Sequence, residues 1–374
     1  MKERFEVLDV FRGIFSSMVV LFHLSAFSAT PLINNRFIYN TDLFVDFFFI
    51  LSGFVIAYNY THISTGTQLK NFYLKRFLRL YPLHFIVLIA FIGIELLKGF
   101  ASHYVHVNKL NNESNSIHTV ITNLLLVNSV KMPGVHDVSW NIASWSISAE
   151  MIAYLVFGLT AVAINHYAKG FKVLVYGLVA VTAAVLLYAF TGGFKLIYTF
   201  DYGFLRGITG FFTGVLCLWA YSGLKDTAAN WSKITFHILE PLVMTITLVM
   251  VCFGDELKNY GLIYELLFFI NVLIFSFEKG WLSAMLKKPK VLRQTGKYSY
   301  SIYMTHTLVL SLFNIVFIRV LKLPPSAYAY LFIPNFLIIY WVSAWTFKNI
   351  EMRFNKLPQQ DKKQEALVNG EVVR

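Results

Sequence analysis

Ten stretches of this chain stay apolar for about the 20 residues that a helix needs to cross a bilayer. That succession limits the fold more than any single residue does. The stretches fall at 7–28, 43–60, 82–99, 144–165, 172–191, 203–221, 236–253, 259–277, 298–318 and 328–347. In hydrocarbon every backbone amide and carbonyl must find a partner within the protein, so spanning segments are helices or closed barrels. Runs of this length lack the strict alternation of barrel strands. The expected fold is therefore all-α, a polytopic transmembrane helical bundle of about ten spans. One further run, 119–130 (TVITNLLLVNSV), is short for a crossing. It is expected as a re-entrant or interfacial helix, or as an eleventh span.

Composition agrees. Of 374 residues, 57% are hydrophobic and only 14% charged, against about 25% charged in soluble domains. The 36 phenylalanines and 21 tyrosines suit lipid-facing surfaces and interfacial belts. A net charge of +12 would suggest nucleic acid in a soluble protein. Here the positive residues alternate with apolar segments instead of forming one basic face, so no nucleic-acid partner is expected. Cys217 and Cys252 lie inside apolar runs without CxxC or Cys/His spacing, which argues against a disulfide framework and a metal site. The N-terminus, MKERFEVLDVFRG and an apolar run ending in SAFSAT, has the outline of a cleaved signal. Arg12 and His23 interrupt its apolar core and more spans follow, so it is read as a membrane helix.

Lysine and arginine placement predicts the orientation. With the N-terminus inside, the cytoplasmic side carries Lys2, Arg4 and Arg12, the Lys70–Arg79 group, the basic 278–297 loop and the basic tail, which together hold most of the 32 positive residues. Both termini are then cytoplasmic. Residues 1–357 read as one integral-membrane domain and 358–374 as a disordered cytoplasmic tail. Residues 100–118, continued by 131–143, read as an external polar loop, in which Asn112-Glu113-Ser114 matches a glycosylation acceptor pattern.

Ionisable residues inside the spans are the candidates for function, because a charge at bilayer depth costs about 2.5–3.5 kcal/mol or more. His23 lies near the outer end of the first span and Glu150 near the outer end of the fourth, both about 8–9 Å deep at 1.5 Å per residue. Asp46 is shallower. All three are expected to line one cavity reached from outside. At the inner side, Arg12 and the pair Arg76 and Arg79 suit a phosphorylated ligand, which guanidinium groups grip bidentately. Arg12 and His23 are about 16 Å apart along their helix. Of the other histidines, His62, His103, His106, His118, His136, His166 and His237 are expected in solvated regions and His84 at the interface. Arg206 and Asp201 are expected to form a local ion pair.

Five blocks, taken together, resemble the integral-membrane acyltransferase-3 family. LDVFRGIFSSMVVLFH matches its Arg-x10-His motif through Arg12 and His23. VDFFFILSGF supplies Asp46, Ser52 and Gly53; RFLRLYP supplies Arg76, Arg79 and Pro82; WSISAE runs from Trp145 through Ser146 and Ser148 to Glu150; and GKYSYSIYMTH contains Tyr303 and His306. The blocks keep the family's order from about residue 7 to 350. Departures fall at Phe44, where glycine is common, at Met151, where a second acid often follows, and at Thr305, often aromatic. They bear on acceptor preference. No esterase-like soluble domain, such as some relatives carry, is expected after the last span.

The resemblance implies acyl transfer, most often of acetyl from acetyl-CoA, to a glycan hydroxyl at the outer face of the bacterial inner membrane. Acyl-CoA is then a donor substrate, and no cofactor is bound permanently. The acceptor is an O-antigen, capsule or exopolysaccharide sugar or a lipid-linked oligosaccharide. His23 would be the general base, with Glu150 and Asp46 beside it. Arg12, Arg76 and Arg79 would hold the donor. Ser52, Ser146, Ser148, Tyr303 and His306 would contact the acyl arm or act structurally. The alternatives are a transporter or flippase for a lipid-linked glycan or small polar solute, and an acyltransferase acting on a lipid. A transporter more often shows matching interrupted helices in two halves, which this chain lacks.

Overall fold

The computed structural model describes residues 4–104, 113–324 and 328–355. The described residues are helical, without strands, and ten helices are long and apolar enough to span a membrane. The tail 358–374, Asn112 and His106 lie outside the described residues.

The spans are carried by α1 (Glu6–Ser25), α2 (Phe44–Tyr60), α3 (Gly66–Ala101), α5 (Ser144–Tyr167), α6 (Lys172–Thr191), α7 (Gly203–Ala229), α8 (Lys233–Cys252), α10 (Gly261–Ser276), α12 (Lys290–Asn314) and α13 (Tyr328–Thr346). Short helices α4 (Ile117–Leu124), α9 (Gly254–Leu257) and α11 (Trp281–Lys287) lie between them. The α2 and α7 pair is the most buried, while α6, α8 and α13 turn most of their surface outward. The extensive contacts join α1 to α12, α2 to α7, and α7 to α5 and α6.

Small residues decide those crossings. A methyl at Gly53 would land on the Phe211 carbonyl of α7, and one at Gly214 on the Ile50 carbonyl of α2. The same reciprocity joins α1 and α12, where Gly13 faces the Gly296 amide and Gly296 faces the Asp9 carbonyl. Lipid supplies no hydrophobic drive for helix association, so such backbone approach gains van der Waals contact that larger side chains would forfeit.

The structure corrects three expectations. The third span begins sixteen residues before Pro82, at a capping box in which Thr65 accepts from the Gln68 amide. At 36 residues α3 is about 54 Å long, well beyond a hydrocarbon core of about 30 Å. The 119–130 run makes no eleventh crossing. Only Ile117–Leu124 is helical, and the chain then folds back as an irregular buried loop. Irregular backbone persists at such depth only where protein groups satisfy it. Here Ser148 Oγ accepts from the Ser129 amide and donates to the Leu126 carbonyl, and Asn128 Nδ2 donates to Ser144 Oγ. Last, His84 is buried, not interfacial, with Nε2 2.9 Å from the Asn123 carbonyl of that loop. Six of the seven histidines expected in solvated regions are described, and all six are exposed.

Candidate active site

Arg12, Ser16 and His23 fall on one face of α1, since steps of four and eleven residues return near the same angle at 3.6 residues per turn. Arg12 and Ser16 line a cavity with about 820 Å³ of open space between α1, α2, α3, α5 and α12. Arg76 and Arg79 enter it from α3, Ser52 from α2, Ser146, Glu150 and Tyr154 from α5, and Tyr300 and Tyr303 from α12.

The three arginines stand there incompletely paired. Arg12 lies 3.8 Å from Asp9 Oδ1, and Asp9 also accepts from Arg4 at 2.8 Å. Arg76 donates to the Tyr60 hydroxyl at 3.2 Å and lies over its ring, yet its buried Nε has no partner. Among the described residues Arg79 has no ion-pair partner. Glu150 is the carboxylate lining the cavity, and its Oε1 is occupied, accepting from Ser52 Oγ at 2.6 Å and from the Tyr154 hydroxyl. A second carboxylate, Glu351, is buried behind the wall, accepts from Ser301 Oγ, and is within electrostatic reach of Arg79 and Arg12. Three guanidinium groups around one lining carboxylate favour a polyanionic ligand.

Phe48 and Tyr303 also line the cavity, and their rings meet edge to face at 6.3 Å. Ser146 Oγ lies 2.8 Å from the Tyr303 hydroxyl and 3.1 Å from the Ala143 carbonyl, which can only accept, so its one proton serves one of the two at a time. Next to Tyr303 stands His306, fully buried, with Nε2 3.3 Å from Nδ1 of His23. Carbonyl oxygens only accept, so the neighbours fix both tautomers. His306 Nδ1 donates to the Tyr303 carbonyl at 2.7 Å, leaving Nε2 as an acceptor. His23 Nδ1–H then divides between the Val19 carbonyl at 2.9 Å and His306 Nε2. The lone pair of neutral His23 is therefore on Nε2. Asn141 pins this turn of α12, donating to the Met304 carbonyl at 3.0 Å and accepting from Thr307 at 2.7 Å.

The candidates from the sequence thus separate into groups. Arg12, Arg76, Arg79, Ser52, Ser146, Glu150 and Tyr303 share the cavity, and His23 pairs with His306 outside its lining. Glu150 is bound to Ser52 and Tyr154, not to His23. Asp46 faces away from the cavity. Its two oxygens accept from Arg206 Nε and Nη2, each at 2.7 Å, in a pair almost wholly buried. Asp201 instead accepts from the Thr199 and Tyr202 amides, so the expected Arg206–Asp201 pair does not form. Ser148 holds the buried loop. Sequence reasoning missed Tyr154, Glu351 and the partner of Asp46. Tyr154 stands one turn from Glu150 on α5, a helical spacing the sequence could have shown, whereas the Ser301–Glu351 and Asp46–Arg206 contacts join distant segments for which hydropathy gives no signal.

A family model described as "Acyltransferase domain", the acyltransferase-3 model, matches residues 5–345. Among curated proteins, "Protein 2 in picA locus" of Rhizobium radiobacter is 30% identical over 167 residues, covering 41% of this chain and 81% of that relative. No solved structure matches.

Proposed function

This chain belongs to the acyltransferase-3 family, and from that membership we propose that it moves an acyl group, acetyl in the simplest case, from cytoplasmic acyl-CoA to a hydroxyl of a surface polysaccharide, with the chain seated in the bacterial inner membrane. O-antigen, capsule and exopolysaccharide sugars are the acceptors that fit. One observation carries the reading: a single cavity is lined by three under-paired arginines and by Tyr303, whose ring meets His306, and His306 in turn holds His23 with its Nε2 lone pair free.

Arg12, Arg76 and Arg79 hold the phosphates of the donor, and its extended arm lies along Ser52, Ser146 and Glu150 towards Tyr303. His23 Nε2 takes the proton of the acceptor hydroxyl as that oxygen attacks the thioester carbon. The C–O bond forms, the C–S bond breaks, and the proton passes from His23 to the leaving thiolate, so the enzyme ends unchanged. His306 Nε2 accepts from His23 Nδ1–H throughout and steadies the imidazolium. The Tyr303 hydroxyl, beside Ser146, is the donor that suits the developing oxyanion. Glu150 is a positioning residue for the Ser52–Tyr154 wall and a counter-charge to Arg12.

The test incubates membranes containing wild type, His23→Ala or Arg12→Ala with radiolabelled acetyl-CoA and the host's surface polysaccharide. We expect label in the glycan with wild type, a fall of about 10²-fold or more with His23→Ala, and a loss with Arg12→Ala that excess donor partly restores. Continued labelling by His23→Ala would remove its catalytic role. Label in lipid alone would move the acceptor to a lipid, and no transfer by wild type would favour transport.

A further inference from the structure

On the face of α2 away from the cavity, two carboxylates meet one guanidinium. Asp46 and Arg206 satisfy each other bidentately, and Arg206 also donates to the Tyr198 carbonyl and lies over the Trp145 ring. Glu265 of α10 reaches towards this pair. It is 4% exposed, and neither carboxylate oxygen has a hydrogen-bond partner. Its oxygens lie against Gly210 of α7, where a methyl would sit 3.3 Å from Oε1. Arg206 is the cation within its electrostatic reach and Asp46 the anion.

Charge bookkeeping makes this arrangement incomplete. An ionised carboxylate buried without a donor loses its hydration and gains nothing in return. A second carboxylate sharing one guanidinium adds like-charge repulsion. One positive charge is missing. Among the described residues no group of three metal-ligating side chains exists, and a divalent ion would require six or more oxygens. A proton needs one.

We propose that Glu265 is a proton-binding site, intramembrane and separate from the acyl-transfer cavity, in which one proton neutralises the Asp46–Arg206–Glu265 set and holds α2, α7 and α10 together. The surrounding charges leave that role to Glu265. Asp42, just before α2, also acts on Arg206 and lies near Lys258; it is only half-buried, and of its oxygens Oδ1 alone is buried without a partner, against both of Glu265. Lys258 binds Asp255 at 2.9 Å, and Arg36 binds Glu256. From α8 the buried Glu240 is engaged by the Gly280 and Ser283 amides, and α1 meets α10 through Phe11 on Phe275.

The full-length protein in lipid vesicles is treated with dicyclohexylcarbodiimide, an apolar reagent that modifies protonated carboxyls, and the adduct is mapped by mass spectrometry. We expect Glu265 labelled at neutral pH at least tenfold above the Glu265→Gln background, with labelling falling as pH rises. Equal labelling in sodium and choline chloride supports the proton. Protection by sodium alone would assign a metal cation and overturn it. Infrared spectroscopy needs no reagent access. Wild type minus Glu265→Gln should show the carbonyl stretch of a protonated acid, and an ionised carboxylate signal there overturns the proposal. Glutamine mimics the neutral acid, so Glu265→Gln should melt at the wild-type temperature, whereas a marked fall would show that the ionised form is structural. None of these readouts depends on acyl transfer.

Discussion

His306 contributes no exposed surface, yet it sets the chemistry of its neighbour. Replacing it by alanine removes the acceptor for His23 Nδ1–H but leaves the Val19 carbonyl. Acyl transfer should then fall in kcat by about 10²-fold, the usual cost of a misaligned base, with KM for the donor unchanged. A separate determination of kcat and KM for His306→Ala checks this, and a change in KM alone would contradict it. Asp46 offers the opposite case, a charged residue whose bonds all point to packing. Arg206→Met alone should cost about 3–5 kcal/mol by leaving Asp46 as an unpaired buried charge, and adding Asp46→Leu should recover most of that loss. Thermal melts in detergent decide it. At this scale sequence reasoning reached some relations and not others, for a geometrical reason. Residue spacing gives depth along a helix, which sets Arg12 and His23 about 16 Å apart along α1. Depth is one coordinate of three. Glu150 and His23 share it, yet one faces Ser52 and the other His306, because neighbours are chosen by helix crossings.

Those crossings are fixed by glycine. The serine-glycine-phenylalanine block around Gly53 reads in sequence as part of a functional motif, and the structure divides it. Ser52 faces the cavity, and Gly53 lets α2 meet α7. Gly53→Ala should destabilise the protein by about 1–3 kcal/mol or more, as overpacking does, and lower the yield of folded protein in fluorescence-detected size exclusion. Gly66→Ala, with open space around the same methyl, is the control and should be silent. Element boundaries were legible where apolar runs coincide with helices, as at 172–191. They failed at α3, whose first four turns carry Lys70, Lys75, Arg76 and Arg79 and so escape a hydropathy reading. They failed again after Leu124, where side-chain amides and hydroxyls replace helical hydrogen bonds.

For the whole molecule, we propose from the distribution of lysine and arginine that both termini of the ten-span bundle face the cytoplasm. His62 and His166 are exposed at one end of the bundle and His118 at the other. A single cysteine at His118, in a chain with Cys217 and Cys252 replaced by serine, should react with an impermeant maleimide on spheroplasts. One at His62 should react only after lysis. Reversed labelling would invert the topology and, with it, the direction of acyl transfer.

The glycine contact between α2 and α7 has a mechanical consequence. With backbone against backbone, that wall of the cavity has no slack to yield. The facing wall is built differently. Its α3 carries Pro82 inside the helix, and wider turns of five-residue period follow α12 at Ile315–Val320 and end α13 at Phe347–Glu351, a kind of turn found often at working sites. The cavity is a vice with one fixed jaw. On the proposed function, we infer that a bulky acyl carrier enters by displacing α3, whose Leu80 carbonyl accepts from the Tyr300 hydroxyl of α12. A cysteine crosslink between α3 and α12 should stop turnover until it is reduced, while one between α2 and α7 should leave the rate as it was.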